Sequence, residues 1–149
     1  MRPYLVTGGA GFIGSHLVAA LLARGDRVVV LDDFSTGRRQ NLSGMAGQLR
    51  IVEGSVLDAA AVADAMAEAS GVFHLAALSS VEQSLTDPIR YHEVNATGTL
   101  RVLECARRTG ARVVYAGSAS AYGNPEIPLA GISESIREDP QAPYATAKM

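Results

Sequence analysis

Short apolar runs and longer amphipathic runs alternate along the whole chain. The apolar runs are four or five residues long and rich in β-branched side chains, and helical periodicity follows each of the first four. Strands that are apolar on both faces are typical of a parallel sheet covered by helices on both sides. The predicted strands are Tyr4–Thr7, Arg27–Leu31, Leu49–Glu53, Val72–Leu75 and Arg112–Ala116.

The segments between the strands predict helices. Strands that alternate with helices imply right-handed crossovers and an open, doubly wound α/β sheet, for which we expect the strand order 3-2-1-4-5. The segment Gly123–Asp139 is rich in Pro, Glu and Ser and predicts a long loop. The predicted helices are Phe12–Arg24, a short one near Arg38–Met45, Asp58–Ala69, about Pro88–Thr109, and a last one that starts near Pro140–Pro143.

Composition narrows the class of protein. The chain has 149 residues, 48% of them apolar, and a formal net charge of −2, which fits one folded domain over residues 1–149. Its arginines are scattered, so we expect no nucleic-acid partner. No apolar run is long enough to span a membrane, and no secretory signal is recognisable. With a single cysteine, Cys105, we expect a cytoplasmic protein that has no disulfide.

A glycine-rich turn follows the first strand directly, in the segment Thr7–Gly14. Gly9, Gly11 and Gly14 satisfy the dinucleotide-binding fingerprint, and Gly8 in place of Gly9 satisfies its wider-spaced variant. Such a turn lets the backbone approach a pyrophosphate, and the N-terminus of the next helix directs N–H groups at it. Taken alone, the glycines also fit an ordinary tight turn.

An acidic residue stands where the fingerprint requires one. Asp32 follows the second strand, eighteen residues past Gly14. A carboxylate there accepts hydrogen bonds from an adenosine ribose and repels a 2′-phosphate, so the sequence favours NAD over NADP. Arg38 and Arg39 are an alternative site for a 2′-phosphate, although such a pair is more often the solvated start of a helix.

Tyr144 and Lys148 lie four residues apart, which places them on one face of the predicted last helix. Lys148 is the only lysine in the chain. A cation about 6 Å from a phenol, at an effective dielectric near 20, is worth about 2.8 kcal/mol. That energy lowers the phenol pKa by about two units, which allows a tyrosine to act as a base. Ser118 follows the fifth strand, where it could hydrogen-bond a substrate oxygen.

The histidines and the cysteine lack the spacing of a metal site, so we expect no bound metal. We interpret His74 as a hydrogen-bonded core residue, and Cys105 as a small buried apolar residue.

The motifs together resemble the NAD-dependent epimerase/dehydratase family of extended short-chain dehydrogenases/reductases. Within that family, the UDP-glucose 4-epimerases and their nucleotide-sugar relatives are the most similar branch. The resemblance covers essentially the whole chain but only the N-terminal half of a family member. The matching segments are Thr7–Leu17, Leu31–Leu42, Val72–Ala77, Val94–Glu104, Gly117–Gly123 and Tyr144–Lys148.

The resemblance implies a Rossmann fold that stops before the last strands and the substrate lobe, with NAD as the cofactor. It implies a catalytic trio of Ser118, Tyr144 and Lys148. The implied cofactor-binding residues are Gly8, Gly11, Phe12, Ile13, Gly14, Asp32, Asp33, Ser35, Ser55, Val56, Leu75, Ala76, Ala77, Asn95, Tyr144 and Lys148.

Two positions depart from the family pattern. Ser55 stands where the family usually has an Asp that receives the adenine amino group, and a serine accepts a weaker hydrogen bond. Ser79 stands where some UDP-glucose epimerases carry a Lys.

Three functions remain open at this point. The first is an NAD-dependent nucleotide-sugar 4-epimerase, an isomerase of carbohydrate metabolism that acts on a UDP-hexose. The second is a dehydratase, decarboxylase or reductase of the same family. The dehydratases and decarboxylases, however, carry acidic residues where this chain has Ala119 and Ser120. The third is a non-catalytic NAD-binding fragment. The resemblance also implies a homodimer, and we expect the isolated 149-residue chain to be inactive and prone to associate.

Overall fold

Five parallel strands form one sheet in the computed structural model, which describes residues 3–123, 131, 133 and 135–149. The strand order is β3-β2-β1-β4-β5, so the predicted doubly wound α/β topology is confirmed. Every strand lies within one residue of its predicted bounds. The strands are β1 (Tyr4–Thr7), β2 (Val28–Asp32), β3 (Leu49–Glu53), β4 (Gly71–His74) and β5 (Arg112–Tyr115).

The helices agree with the sequence prediction in most places. The predicted helix Pro88–Thr109 is one continuous segment, but a π-helical turn at Glu93–Thr97 divides it. The helix Val81–Thr86 was not predicted; it begins where the Ser80 hydroxyl accepts the backbone N–H of Gln83. The predicted loop 123–139 lies largely outside the described residues. The helices are α1 (Phe12–Ala23), α2 (Ala59–Met66), α3 (Val81–Thr86), α4 (Pro88–His92), α5 (Gly98–Thr109) and α6 (Pro143–Ala147), with 3-10 turns at Arg39–Leu42 and Ala119–Tyr122.

The sheet has an apolar core on each face because alternate strand residues point to opposite sides. Leu5 of β1 packs with Met66 of α2 and Val102 of α5 on one face. Its neighbour Val6 packs with Val18 of α1 on the other face. The strands at the centre of the sheet are therefore buried on both sides, as the apolar runs predicted.

Some apolar side chains remain exposed in the described part of the chain. Val114 of β5 is 59% exposed, and Leu100 of α5 is 65% exposed. This apolar surface on an edge strand and on a helix fits the expectation that the isolated chain is prone to associate.

The turn from β1 into α1 brings three backbone segments into close contact. Gly8 has a φ of +69°, and a side chain there would place its Cβ 2.7 Å from the backbone nitrogen of Ala76. Within α1, a Cβ on Gly14 would overlap the carbonyl oxygen of Gly8 and lie 2.7 Å from the Cα of Gly9. Glycine at these two positions is therefore a packing requirement.

We predict that Gly14→Ala destabilises the fold by about 1–3 kcal/mol, because the new methyl group meets backbone atoms that cannot rotate away. Urea unfolding followed by circular dichroism measures the change. Gly117→Ala is the matched control: apart from its chain neighbours, no residue has an atom within 4 Å of the added Cβ, so its effect should stay below about 0.5 kcal/mol. Equal stability of the two variants would contradict the prediction.

Candidate functional site

A cavity of about 500 Å³ lies along the carboxyl edge of the sheet. Because all five strands are parallel, the segments that follow them converge at this edge. Most of the lining residues come from those segments. The lining residues are Gly8, Gly11, Phe12, Ile13, Gly14, Leu31, Asp32, Asp33, Ser35, Thr36, Gly37, Gly54, Ser55, Val56, Leu75, Ala76, Ala77, Leu78, Ser79, Arg90, Val94, Ala116, Gly117, Tyr144 and Lys148.

A second cavity of similar volume, about 510 Å³, lies at the amino edge of the sheet near Arg27 and Arg50. Volume alone therefore does not identify the site. Both arginines at the amino edge are already paired: Arg27 with Glu68 at 3.4 Å and Arg50 with Asp64 at 3.0 Å. The carboxyl-edge cavity combines a helix N-terminus, carboxylates, a phenol and an ammonium, and it is the candidate functional site.

The N-terminus of α1 opens into this cavity. Gly11 precedes the helix and has no side chain to cap it. Phe12 and Ile13, in the first turn, are 79% and 69% exposed. N–H groups in the first turn of a helix lack partners within the helix and favour an anion. The geometry therefore suits a phosphate group next to the glycine turn.

Asp32 is buried at the end of β2, with 7% of its surface exposed. One carboxylate oxygen accepts the backbone N–H of Ala10 at 2.9 Å, and the other accepts that of Phe34 at 2.8 Å. Each oxygen keeps a further lone pair for a ligand hydroxyl. The next residue, Asp33, accepts hydrogen bonds from the backbone N–H and the hydroxyl of Ser35.

The two arginines after β2 lie outside the cavity lining. Arg39 forms an ion pair with Glu53, and its guanidinium carbon lies 4.0 Å from the centre of the Phe34 ring. Arg38 immediately precedes the 3-10 turn that Arg39 begins. The pair therefore lies at a solvated helix start, which is the more common place for such an arginine pair than a 2′-phosphate site.

A buried hydrogen-bond chain joins the ends of β1 and β4 to the long helix. The Thr7 hydroxyl donates to Nδ1 of His74 at 2.6 Å, because its oxygen already accepts the backbone N–H groups of Leu75 and Ala76. The Thr99 hydroxyl donates to the carbonyl of Asn95 at 2.5 Å, so it accepts Nε2–H of His74 at 2.9 Å.

These contacts hold His74 neutral. Its side chain is fully buried, and burial, followed by the nearby charge of Lys148, lowers its pKa to about 4. The interpretation of His74 as a hydrogen-bonded core residue is confirmed. Cys105, expected to be buried, is only partly buried and packs at the margin of one core.

Asn95 lies behind the cavity wall and does not line it. It sits in the π-helical turn, is 1% exposed, and forms two 2.9 Å hydrogen bonds with the backbone of Leu78. Asn95 thus fixes Leu78, which does line the cavity. Its predicted part in cofactor binding stays a prediction, and the geometry offers an indirect route for it.

Tyr144 and Lys148 both line the cavity, as the four-residue spacing predicted. Tyr144 is anchored where its backbone N–H donates to the hydroxyl of buried Ser84 at 3.1 Å. Lys148 directly follows α6, and its nitrogen lies 4.4 Å from the centre of the Tyr115 ring. Burial lowers the pKa of the Lys148 ammonium.

Ser118, the third predicted catalytic residue, is not among the lining residues, although Ala116 and Gly117 just before it are. Its hydroxyl forms a 2.7 Å hydrogen bond with the hydroxyl of Ser120. The structure therefore brings Tyr144 and Lys148 together and leaves Ser118 beside the cavity.

Sequence reasoning missed some of the lining residues. Arg90 and Val94, one turn apart on the long helix, form part of the wall, and their four-residue spacing places them on one helix face. Thr36 and Gly37 were missed after Asp32, and a side chain at Gly37 would lie 2.9 Å from the Asp32 carboxylate. Ser55, which replaces the usual Asp, lines the cavity, and its hydroxyl accepts the N–H of Leu57.

Nearly the whole chain matches a known protein family. The family model described as "NAD dependent epimerase/dehydratase family" matches residues 4–149. The chain belongs to this family. It shares 43% identity with a UDP-glucose 4-epimerase of Mycolicibacterium smegmatis, an alignment that covers 97% of this chain and 47% of that protein. It shares 38% identity with a dTDP-glucose 4,6-dehydratase of the same organism, over 97% of this chain and 45% of that protein.

The fold agrees with the family. A crystal structure of UDP-glucose 4-epimerase from Brucella ovis in complex with NAD has a TM-score of 0.90 and 35% identity, over 99% of this chain and 45% of that one. The chain thus spans a little under half the length of the relatives it matches. Family members are NAD-dependent epimerases and dehydratases. Within residues 3–123 and the described part of 131–149, no helix is both long and apolar enough to cross a membrane.

We predict that acid destabilises the fold through His74. The neutral form is stabilised in the native state, so this contribution is complete above pH 6.5 and is lost as the pH falls toward 4, where the native imidazole is also protonated. Between pH 7.5 and 5.0 the loss should be about 2 kcal/mol. Urea unfolding at both pH values measures it.

His74→Asn should remove that pH dependence, since no imidazole remains to be protonated on unfolding. The matched control is His92→Asn, which changes an exposed histidine and should retain the wild-type dependence. A His74→Asn variant that loses as much stability as the wild type between these pH values would contradict the assignment.

Proposed function

We propose that residues 1–149 form the NAD-binding part of a nucleotide-sugar 4-epimerase that acts on a UDP-hexose. The observation that carries the proposal is the convergence, in one cavity, of the α1 N-terminus, Asp32, Tyr144 and Lys148. The 43% identity with a UDP-glucose 4-epimerase supports it. The division into this domain and a separate substrate-binding domain is part of the proposal.

The residues present fit a dinucleotide. Gly8, Gly11 and Gly14 line the cavity without side chains, so a pyrophosphate there could approach the backbone directly. Asp32 has lone pairs left for the hydroxyls of a ribose and offers no cation to a 2′-phosphate. Leu75, Ala76 and Ala77 supply an apolar wall beside Lys148. When bound, NAD would supply the hydride acceptor and donor at the sugar C4.

The side chains of this chain divide the remaining work. The Tyr144 phenol would take the proton of the sugar 4-hydroxyl as C4 is oxidised and return it after the sugar has turned its other face. The Lys148 ammonium, placed one turn further on, would stabilise the phenolate by charge and hold a ribose hydroxyl. The Ser118 hydroxyl would donate to the substrate oxygen while its own oxygen accepts from Ser120.

A dehydratase is the second candidate, since dTDP-glucose 4,6-dehydratases are among the relatives. Elimination across C5 and C6 needs a general acid and base besides the tyrosine. The 3-10 turn after β5 carries Ala119 and Ser120, so it offers no carboxylate for that step. An epimerase needs no such carboxylate, because one phenol takes and returns the only proton that is transferred.

We expect the chain to bind NAD more tightly than NADP, because the Asp32 carboxylate repels a 2′-phosphate. Isothermal titration calorimetry with each cofactor gives the two dissociation constants, and their ratio measures the preference. Asp32→Ala should bring that ratio closer to one. The ratio is the readout because the loss of the two backbone hydrogen bonds to Asp32 weakens the binding of both cofactors alike.

The control for this titration is Asp64→Ala, which removes an equal charge beside the amino-edge cavity and should leave the ratio unchanged. Equal or tighter binding of NADP by the wild type would contradict the prediction. Failure of the chain to bind either cofactor would contradict the proposed function itself.

We also expect the 149-residue chain to interconvert UDP-glucose and UDP-galactose at no measurable rate when NAD is added. The resemblance places most substrate contacts in the half of a family member that these residues do not cover. Turnover by the 149 residues close to that of a full-length relative would contradict the expectation.

In a chain extended to the full length of its relatives, Tyr144→Phe should abolish turnover and leave NAD binding nearly unchanged.

A further inference from the structure

Tyr115 occupies a position that neither the glycine fingerprint nor the Tyr–Lys spacing indicates. It is the last residue of β5, and its ring lies under the Lys148 ammonium, 4.4 Å from nitrogen to ring centre. On β4, the neighbouring strand, the His74 ring is stacked against the Tyr115 ring, with 5.8 Å between centres and 27° between planes. His74 and Tyr115 are also direct partners in the sheet register.

This arrangement gives Lys148 a partner that is not an anion. Among the described residues, no carboxylate lies within ion-pair distance of its nitrogen. Tyr115 from β5 and His74 from β4 face it. The other titratable side chains that line the same cavity are Asp32, Asp33, Arg90 and Tyr144.

The contact is a cation over a neutral ring. Burial, and then the neighbouring Tyr144, raise the pKa of the Tyr115 phenol, so Tyr115 does not offer Lys148 a phenolate. An ammonium over an aromatic face is attracted by the ring quadrupole, more strongly where water is excluded. Lys148 is 6% exposed, so water screens the contact poorly.

We propose that Tyr115 is a positioning residue, whose ring face holds the Lys148 ammonium in the cavity while the neighbouring His74 ring, stacked against it, supports the Tyr115 ring. The inference rests on the proposed function, in which Lys148 acts on the cofactor ribose and on Tyr144. It assigns Tyr115 no contact with the reacting atoms. The hydrogen bonds of His74 to Thr7 and Thr99 fix the support, so the ammonium is in place before any ligand enters.

The single lysine makes the inference directly measurable. Labelling the chain with ¹³C-lysine gives one set of side-chain resonances, all from Lys148. In the wild type we expect the Hε resonances to be shifted upfield by the ring and to show nuclear Overhauser effects to the Tyr115 ring protons. Random-coil shifts without those effects would overturn the inference, and this arm needs no variant to fold.

Variants separate a cation–π contact from simple burial. Tyr115→Leu should remove the upfield shift and lower the Lys148 pKa by about half a unit to one unit, because the charged form loses its partner. Tyr115→Phe keeps the ring face and should keep both values near those of the wild type. If Tyr115 acted only by excluding water, the leucine variant would raise the pKa or leave it unchanged, and either result overturns the inference.

Tyr4→Leu is the matched control. Tyr4 is the first residue of β1, at the amino edge of the sheet, so its loss should not affect the Lys148 resonances. Amide spectra establish that each variant is folded. NAD titration forms a separate arm, in which Tyr115→Leu should weaken binding by about threefold to tenfold. If the wild type does not bind NAD, the proposed function fails, and the lysine resonances still decide the role of Tyr115.

Discussion

The hydrogen bonds that His74 makes to Thr7 and Thr99 are the constraint on which the candidate site depends. They join the carboxyl ends of two neighbouring strands to the long helix, and all three groups are satisfied without water. The chain connections that follow the strands on either side of this junction run in opposite directions across the sheet, which opens a crevice at the carboxyl edge. The glycine turn forms one wall of the crevice, and the residues after β4 form another.

The hydrogen-bonded junction at His74 positions residues of the cavity on each of its two sides. Toward the long helix, Thr99 meets the carbonyl of Asn95, whose amide holds Leu78 in the cavity wall. Toward β5, the His74 ring supports Tyr115, over which Lys148 lies. A neutral imidazole suits this position because a second cation beneath Lys148 would repel it. The low pKa of His74 and the position of Lys148 are therefore parts of one arrangement.

Much of this site follows from local sequence patterns. The glycine turn, Asp32 and the Tyr144–Lys148 pair are predictable because each is read from a short stretch of the chain. The strand order is predictable because strands alternate with helices. The π-helical turn, the wall residue Arg90 and the ring under Lys148 are not. Tyr115 has the period of an ordinary strand residue, and only the position of Lys148 in the structure reveals its contact.

The exposed surface belongs to the same physical picture. Val114 lies on the edge strand β5, and no described helix packs over it, while Leu100 of the long helix is equally open. The matched relatives are about twice as long as this chain. The homodimer implied by the resemblance and the cytoplasmic location expected from the single cysteine stay predictions.

The proposed function requires that one dinucleotide occupies the carboxyl-edge cavity of these 149 residues. The most direct test is to follow the backbone amide resonances of the ¹⁵N-labelled chain as NAD is added. We predict that the largest changes fall on Phe12, Ile13 and Ala76, around the glycine turn. Changes confined to the amino-edge cavity near Arg50, or no changes at saturating NAD, would contradict the account.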